Sequence, residues 1–161
     1  MPDKVGSDNH QPTSLRGRAN KARVNERHRF RDLYRCLDAE LLRACWHDLN
    51  KDAASGVDKV TAEAYAEHLH ATSEALAQRL QTKRYRATLV RRCDIPKEHG
   101  KERPLGIPAL EDKLGQLACA KLRTALYEQD FLDCSDGYRP GRGALDAVRA
   151  LTFDLQYGRY G

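Results

Sequence analysis

Two short extended segments flank a polar turn near the middle of the chain, in the stretch IPKEHGKERPLGIP at residues 95–108. The apolar and polar alternation that leads into this stretch, with a glycine in the turn, predicts a β-hairpin. Pro96, Pro104 and Pro108 cannot donate ladder hydrogen bonds, because proline has no backbone N–H. The two strands therefore belong at a sheet edge or extend beyond it as an arm.

Helical periodicity predominates elsewhere. Apolar residues recur at three- and four-residue spacing over residues 30–49, which predicts one amphipathic helix. A narrower stripe over residues 65–80 predicts a second, with Thr61 as its cap and Gly56 free to adopt positive φ in the loop before it. Two more helices are expected after the hairpin, the first beginning with acids that suit a helix dipole at Glu111 and Asp112, the second running from residue 144 to 155. The predicted fold class is α+β, a mostly helical lobe with a β-hairpin arm.

The net charge of +5 is concentrated in two basic blocks. Residues 1–35 carry nine Lys/Arg against four acids, residues 79–105 carry nine against three, and the remainder is acidic. This distribution suits a polyanionic partner, although solvated surfaces also carry basic blocks. Residues 1–26 mix Pro, Gly, Ser and Asn with Arg, without periodicity, which predicts a disordered basic tail before a single folded unit at residues 27–161.

The cysteines and the hydropathy pattern bear on compartment. The five cysteines are an odd number without the close pairing of a zinc site, so reduced thiols in a cytoplasmic protein are expected. The first thirty residues have no apolar core, and no apolar run is long enough to span a bilayer. We therefore expect a cytoplasmic protein without a membrane partner.

Three motifs carry a family resemblance: GVDKVT at residues 56–61, RYRATLVRRCDIPKEHGKERPLGIPALEDKLGQ at residues 84–116, and SDGYRPGRGALDAVRAL at residues 135–151. In this order and spacing they resemble the N-terminal part of group II intron reverse transcriptases, the maturases of bacteria and organelles. The likeness covers about residues 27–161. In that family this region forms the N-terminal extension and fingers of a right-hand polymerase, so the resemblance implies a chain truncated before its catalytic palm.

The resemblance also implies roles for the hairpin. Lys97 and Arg103 match the cations that grip the triphosphate of an incoming dNTP, and Arg91 and Ile107 match residues that shape the pocket around the nascent base pair. Charge on the β and γ phosphates must be neutralised as pyrophosphate leaves, and preorganised cations supply this. Arginine offers a planar fork to two oxygens, and lysine a point charge.

A second implied site is the YRPGRG loop, where Arg139, Arg142 and Gly141 match the family's loop beside the template strand. A glycine-rich connection with incidental arginines explains the same residues. The chain departs from the family at Asp136, where an aromatic residue is usual, and at Lys59, where glycine is common.

No catalytic or metal-binding residue is assigned on this chain. In the intact family enzyme, Mg²⁺ ions are held by palm aspartates, whereas Asp146 and Asp154 here fall on an apparent surface helix. The resemblance implies intron RNA, template RNA, a DNA primer and dNTP as partners, with no polymerisation by this chain alone. A stand-alone RNA-binding module without catalysis and an inactive gene remnant are the alternatives.

Overall fold

A computed structural model describes residues 13–25, 27–96 and 102–158. Within these residues lie six α-helices, one 3₁₀ turn and one two-stranded antiparallel sheet. In chain order they are α1 (Thr13–Val24), the 3₁₀ turn (Leu33–Cys36), α2 (Ala39–Asp48), α3 (Ala62–Ala66), α4 (Leu69–Gln81), β1 (Arg91–Pro96), β2 (Glu102–Ile107), α5 (Leu110–Tyr127) and α6 (Ala144–Tyr157). The predicted α+β class, mostly helical with one hairpin, is confirmed.

The hydrophobic core lies between four helices. Helix α2 packs against both α4 and α5, and α1 packs on α5. The side chains that meet there are almost completely removed from solvent: Leu15, Leu41, Leu42, Leu76 and Leu114. Burial of each of these leucine side chains contributes about 2 kcal/mol to stability.

Helix α1 corrects the expectation of a disordered tail. The structure places a helix at Thr13–Val24, and its Leu15 is fully buried in the core cluster. Ala19 and Ala22 follow Leu15 at four- and three-residue spacing, and both are at least partly buried on the same side of the helix. This stripe escapes recognition in the sequence because its one large apolar residue on the packed side lies among basic residues. Residues 1–12 and residue 26 of the predicted tail lie outside the described residues.

The helix predicted over residues 30–49 is also corrected. The segment begins with the 3₁₀ turn, and α2 starts only at Ala39. Asp38 separates the two, because its carboxylate accepts a hydrogen bond from the Leu41 N–H at 2.8 Å and so caps α2. The apolar periodicity continues across this break, so the pattern alone does not reveal it.

The next predicted helix consists of two helices, α3 and α4. Thr61 caps α3 as predicted, since its hydroxyl oxygen accepts a hydrogen bond from the Ala64 N–H at 3.3 Å. The chain leaves helical geometry around His68 before α4 begins. Tyr65 on α3 stacks on Trp46 of α2, with ring centroids 5.3 Å apart, while α4 packs along α2. The break thus allows both short helices to contact the same neighbour.

Gly56 corrects another expectation. Among the described residues the glycine with positive φ is Gly141, not Gly56. A Cβ at position 56 would lie 2.6 Å from the Cα of Ala109 and 2.8 Å from the carbonyl oxygen of Pro108. Glycine is therefore required here by close backbone approach. The loop is held to the same place by Lys113, whose ammonium donates to the Ala54 carbonyl at 2.6 Å.

The hairpin and the last two helices agree with prediction. The hairpin strands are solvent-exposed along almost their whole length, as expected for an arm. Helices α5 and α6 form where predicted, but α6 buries none of its residues. All five cysteines are free thiols, and within the described part of the chain no helix is long and apolar enough to cross a bilayer.

Candidate nucleic-acid interface

The register of the arm places three of the predicted site residues on one face. Arg91 lies directly opposite Ile107 across the ladder, and Ile95 lies opposite Arg103. Side chains alternate between the two faces of a strand, and directly paired residues share a face. Arg91, Ile107 and Arg103 therefore lie on the same side of the hairpin, which we call the site face.

The spacing along the site face is fixed by strand geometry. Arg103 and Ile107 are four residues apart on β2, and a strand rises by about 3.3 Å per residue, so their backbones are separated by about 13 Å. Lys97, the second predicted triphosphate ligand, lies outside the described residues, as does the turn that follows it. Arg103 and its two partners thus form the described part of the predicted nucleotide site.

Charge is compensated differently on the two faces of the arm. On the face opposite the site face, Arg92 donates to the carboxylate of Asp94 at 3.0 Å. Arg91 and Arg103 make no ion pair with any residue in the described ranges, and both are exposed. Within the described arm, the site face therefore presents two uncompensated guanidinium groups, a suitable surface for an anion.

Arg139 is placed in the interior of the YRPGRG loop. Its side chain is only 7% exposed, and its guanidinium donates to Glu128 at 2.7 Å and to the carbonyls of Leu132 and Ser135 at 2.9 and 2.8 Å. The hydrogen bond to Glu128 raises the pKa of Arg139 above its usual high value. The guanidinium also lies over the Phe131 ring. Arg139 thus ties the loop to the end of α5.

Arg142 is more accessible than Arg139. Its guanidinium donates to the Asp136 carboxylate at 3.1 Å and to the Asp133 carbonyl, and about a third of its side chain is exposed. The acid at position 136, unusual for the family resembled, is thus paired within the loop. Gly141 adopts φ of +72°, which a residue with a side chain rarely does. The loop conformation therefore depends on both Arg142 and Gly141.

Lys59 occupies the position where the family resembled commonly has glycine. Its φ of 56° is left-handed, a conformation that costs an L-residue roughly 1–2 kcal/mol. The backbone of this loop is therefore one that glycine would adopt more readily.

A basic cleft that the sequence pattern does not reveal lies between α1 and the segment that follows it. It is lined by Arg18, Lys21, Arg29 and Arg31 together with Phe30 and His28. The two rings are in edge-to-face contact, with centroids 4.7 Å apart. None of the four cations forms an ion pair with a described residue. The charge count of residues 1–35 indicates a basic segment but not a cleft, because the cleft depends on α1 being a docked helix.

The acidic residues of the described chain do not form a metal centre. In the described ranges no three His, Cys, Asp or Glu side chains converge so as to hold an ion. The carboxylate of Asp146 accepts a hydrogen bond from the Gly143 N–H at 3.0 Å, which caps α6. The described residues therefore do not fit a Mg²⁺ site.

Comparison with known proteins finds several similar proteins. No protein-family model matches the chain. The chain is 34% identical over 136 residues to the group II intron-encoded protein LtrA of Lactococcus lactis, and this match covers 81% of the chain. The chain is homologous to group II intron-encoded proteins. It is also 37% identical over 100 residues, 62% of its length, to protein YkfC of Escherichia coli, and 36% identical over 78 residues to a 91 kDa protein in the cob intron of Schizosaccharomyces pombe.

These relatives are much longer than the chain. The matched region spans 22% of LtrA, 26% of YkfC and 10% of the yeast protein. The likeness therefore concerns one part of a group II intron-encoded protein, and the activity of the whole relative is not thereby transferred.

Proposed function

We propose that this chain is the N-terminal extension and fingers of a group II intron reverse transcriptase and maturase, an RNA-directed DNA polymerase of right-hand fold. In this role the lobe binds template RNA and the triphosphate of the incoming dNTP beside a DNA primer. Polymerisation requires in addition a palm with Mg²⁺, so the chain alone binds substrates without joining them.

The observation that carries this proposal is the shared site face of Arg91, Ile107 and Arg103. A nucleotide paired with a template needs an apolar contact near its base and positive charge near its phosphates. Ile107 supplies the first and Arg103 the second, about 13 Å apart along one strand. A distance of this order suits a nucleotide, whose triphosphate extends away from its base. The homology to LtrA makes nucleic acid the natural partner for such a surface.

In the proposed function, the two arginines of the YRPGRG loop have different roles. Arg142 is partly exposed and contacts template phosphate, where the open backbone at Gly141 permits close approach. Arg139 already donates to three partners in the loop and at the end of α5. Its contribution to template binding is therefore to hold the loop that carries Arg142.

The nucleotide site is tested by Arg103→Ala, which is expected to weaken retention of dTTP on a complex of the chain with an RNA template and DNA primer by about tenfold or more. The reason is the removal of a charge-assisted hydrogen bond, worth about 1.5–3 kcal/mol. Dissociation of fluorescent dTTP measures the effect.

The matched control for this test is Arg92→Ala. Arg92 is an arginine of the same arm, but it lies on the opposite face and is paired with Asp94. It should leave dTTP retention unchanged. Equal weakening in both variants would show that only the net charge of the arm matters and would overturn the assignment of Arg103.

A second candidate function, a stand-alone RNA-binding module, is favoured by the basic cleft beside α1. Its four cations have no ion-pair partner among the described residues, and they line the same cleft as an aromatic pair. Such a surface suits a single-stranded RNA, which binds through phosphates and stacked bases. This activity needs neither a palm nor a nucleotide.

A salt titration with group II intron RNA tests the cleft. Each cation that binds a phosphate contributes about 0.7 to the slope of log K against log salt, so the double variant Arg29→Ala/Arg31→Ala should reduce that slope by about 1.4. Arg149→Ala is the control, because Arg149 is an exposed cation on α6. An unchanged slope in the double variant, or an equal reduction in the control, would remove the cleft from the RNA interface.

A further inference from the structure

The arm joins the body of the protein at two points. On the β1 side, the Thr88 N–H is hydrogen-bonded to the body three residues before the strand begins. On the β2 side the chain enters the body at Pro108 and Ala109, where Ala109 is buried against Gly56. The strands between these points are exposed, so the direction of the arm is decided at its base.

Asp112 is the centre of the β1 side of this base. It lies in the first turn of α5, is only 3% exposed, and uses both carboxylate oxygens. One oxygen accepts a hydrogen bond from the Tyr85 hydroxyl, and the other accepts from the Thr88 N–H at 3.1 Å. A buried carboxylate without such partners is strongly destabilising, so both bonds are maintained in the folded protein.

Tyr85 is suited to a permanent donor role. Its ring is partly buried against the core, and this burial, together with the hydrogen bond to Asp112, raises the pKa of the Tyr85 hydroxyl well above its usual value. The phenol therefore keeps its proton at neutral pH. The Arg79 guanidinium, which is paired with Glu111, lies over the Tyr85 ring, 5.7 Å from its centroid.

We propose that Asp112 is a positioning residue that sets the direction of the hairpin arm relative to the helical body, acting through Tyr85 and Thr88. The direction matters because a small rotation at the base of the arm displaces its far end by several ångströms. From Thr88 to Ile95, opposite Arg103, the chain extends about 23 Å, so a rotation of about 10° at the base moves Arg103 by roughly 4 Å. In a polymerase, where displacements of about 1 Å can reduce rate about 100-fold, such a movement removes the triphosphate contact. This consequence rests on the proposed function, whereas the direction of the arm does not.

Spin labels on the arm and the body test the proposal without any ligand. One label is placed on Cys93, which is exposed on β1, and one on Glu74→Cys, at an exposed position of α4. Cys119 and Cys134 are replaced by serine, and buried Cys36 and Cys45 remain unlabelled. Asp112→Ala should at least double the width of the interlabel distance distribution, and Tyr85→Phe should widen it to a smaller extent.

The matched control is Asp48→Ala, which removes an acid that is ion-paired within the body, to Lys121, but no hydrogen bond to Tyr85 or Thr88. This variant should leave the width of the distance distribution unchanged, because it retains the hydrogen bonds of Asp112 to Tyr85 and Thr88. An unchanged width in folded Asp112→Ala overturns the proposal. If that variant does not fold, Tyr85→Phe decides, and a wild-type width in it overturns the proposal equally. Because the measurement contains neither nucleotide nor RNA, its failure is distinct from failure of the dTTP or RNA tests.

Discussion

Replacement of Leu15 by alanine is expected to reduce the free energy of unfolding by about 3 kcal/mol, within the usual range of about 2–5 kcal/mol for a buried leucine. Leu15 is 0% exposed and belongs to the same cluster as Leu114 of α5. The change removes buried methyl groups and leaves a cavity between α1 and α5. Chemical denaturation monitored by circular dichroism measures the decrease.

The matched control is Val24→Ala, at the end of the same helix. Val24 is 76% exposed, so truncation there should change stability by less than about 0.5 kcal/mol. If Leu15→Ala had as small an effect as the control, α1 would not be part of the core. The basic cleft would then lose its architecture as well, because Arg18 and Lys21 are held there by the docked helix.

Gly56→Ala is expected to reduce the free energy of unfolding by about 2–3 kcal/mol, at the upper end of the range for overpacking. The added methyl group would meet backbone atoms of Pro108 and Ala109, and the nearest contact would be 2.6 Å. Backbone atoms cannot rotate away as a flexible side chain can, so the loop and the start of α5 must separate. Thermal unfolding measures the effect.

The control is Gly115→Ala, for which the opposite change in stability is expected. Position 115 lies within α5, and a Cβ there would meet no atom within 4 Å beyond its own helix. Alanine should therefore raise stability by about 0.5–1 kcal/mol through its higher helix propensity. A neutral Gly56→Ala would mean that the loop does not pack against the base of the arm.

The elements that could be predicted are those encoded by local signals. The hairpin follows from alternation bounded by proline and glycine, and α5 from a long, regular apolar stripe after Pro108. The predictions that were wrong share a different property. The 3₁₀ turn and α2 continue one periodic pattern, so the break at Asp38 is visible only through its capping hydrogen bond. Helix α1 has too few large apolar residues to be recognised without the surface on which it packs.

The candidate site likewise has features that the sequence predicts and features that only the structure shows. The sequence and its family resemblance name Arg91, Arg103 and Ile107, and the ladder register adds that they share a face. Arg139 looks like an exposed cation in the sequence, yet its guanidinium is buried by partners drawn from a helix and a loop. Asp112 looks like an ordinary acid at a helix start, and its contact with Thr88 spans 24 positions.

Residue type and short-range order were enough to establish the α+β class, the arm, the two basic blocks and the kinship with intron-encoded proteins. These properties can be predicted from the sequence, because each depends on residues that are close together in it. Folding in three dimensions was needed to establish that α1 joins the core, that Gly56 is required for backbone contact, and that Asp112 holds the base of the arm. Each of these depends on contacts between residues distant in sequence, which form only when the helices pack. Local sequence patterns therefore do not reveal them.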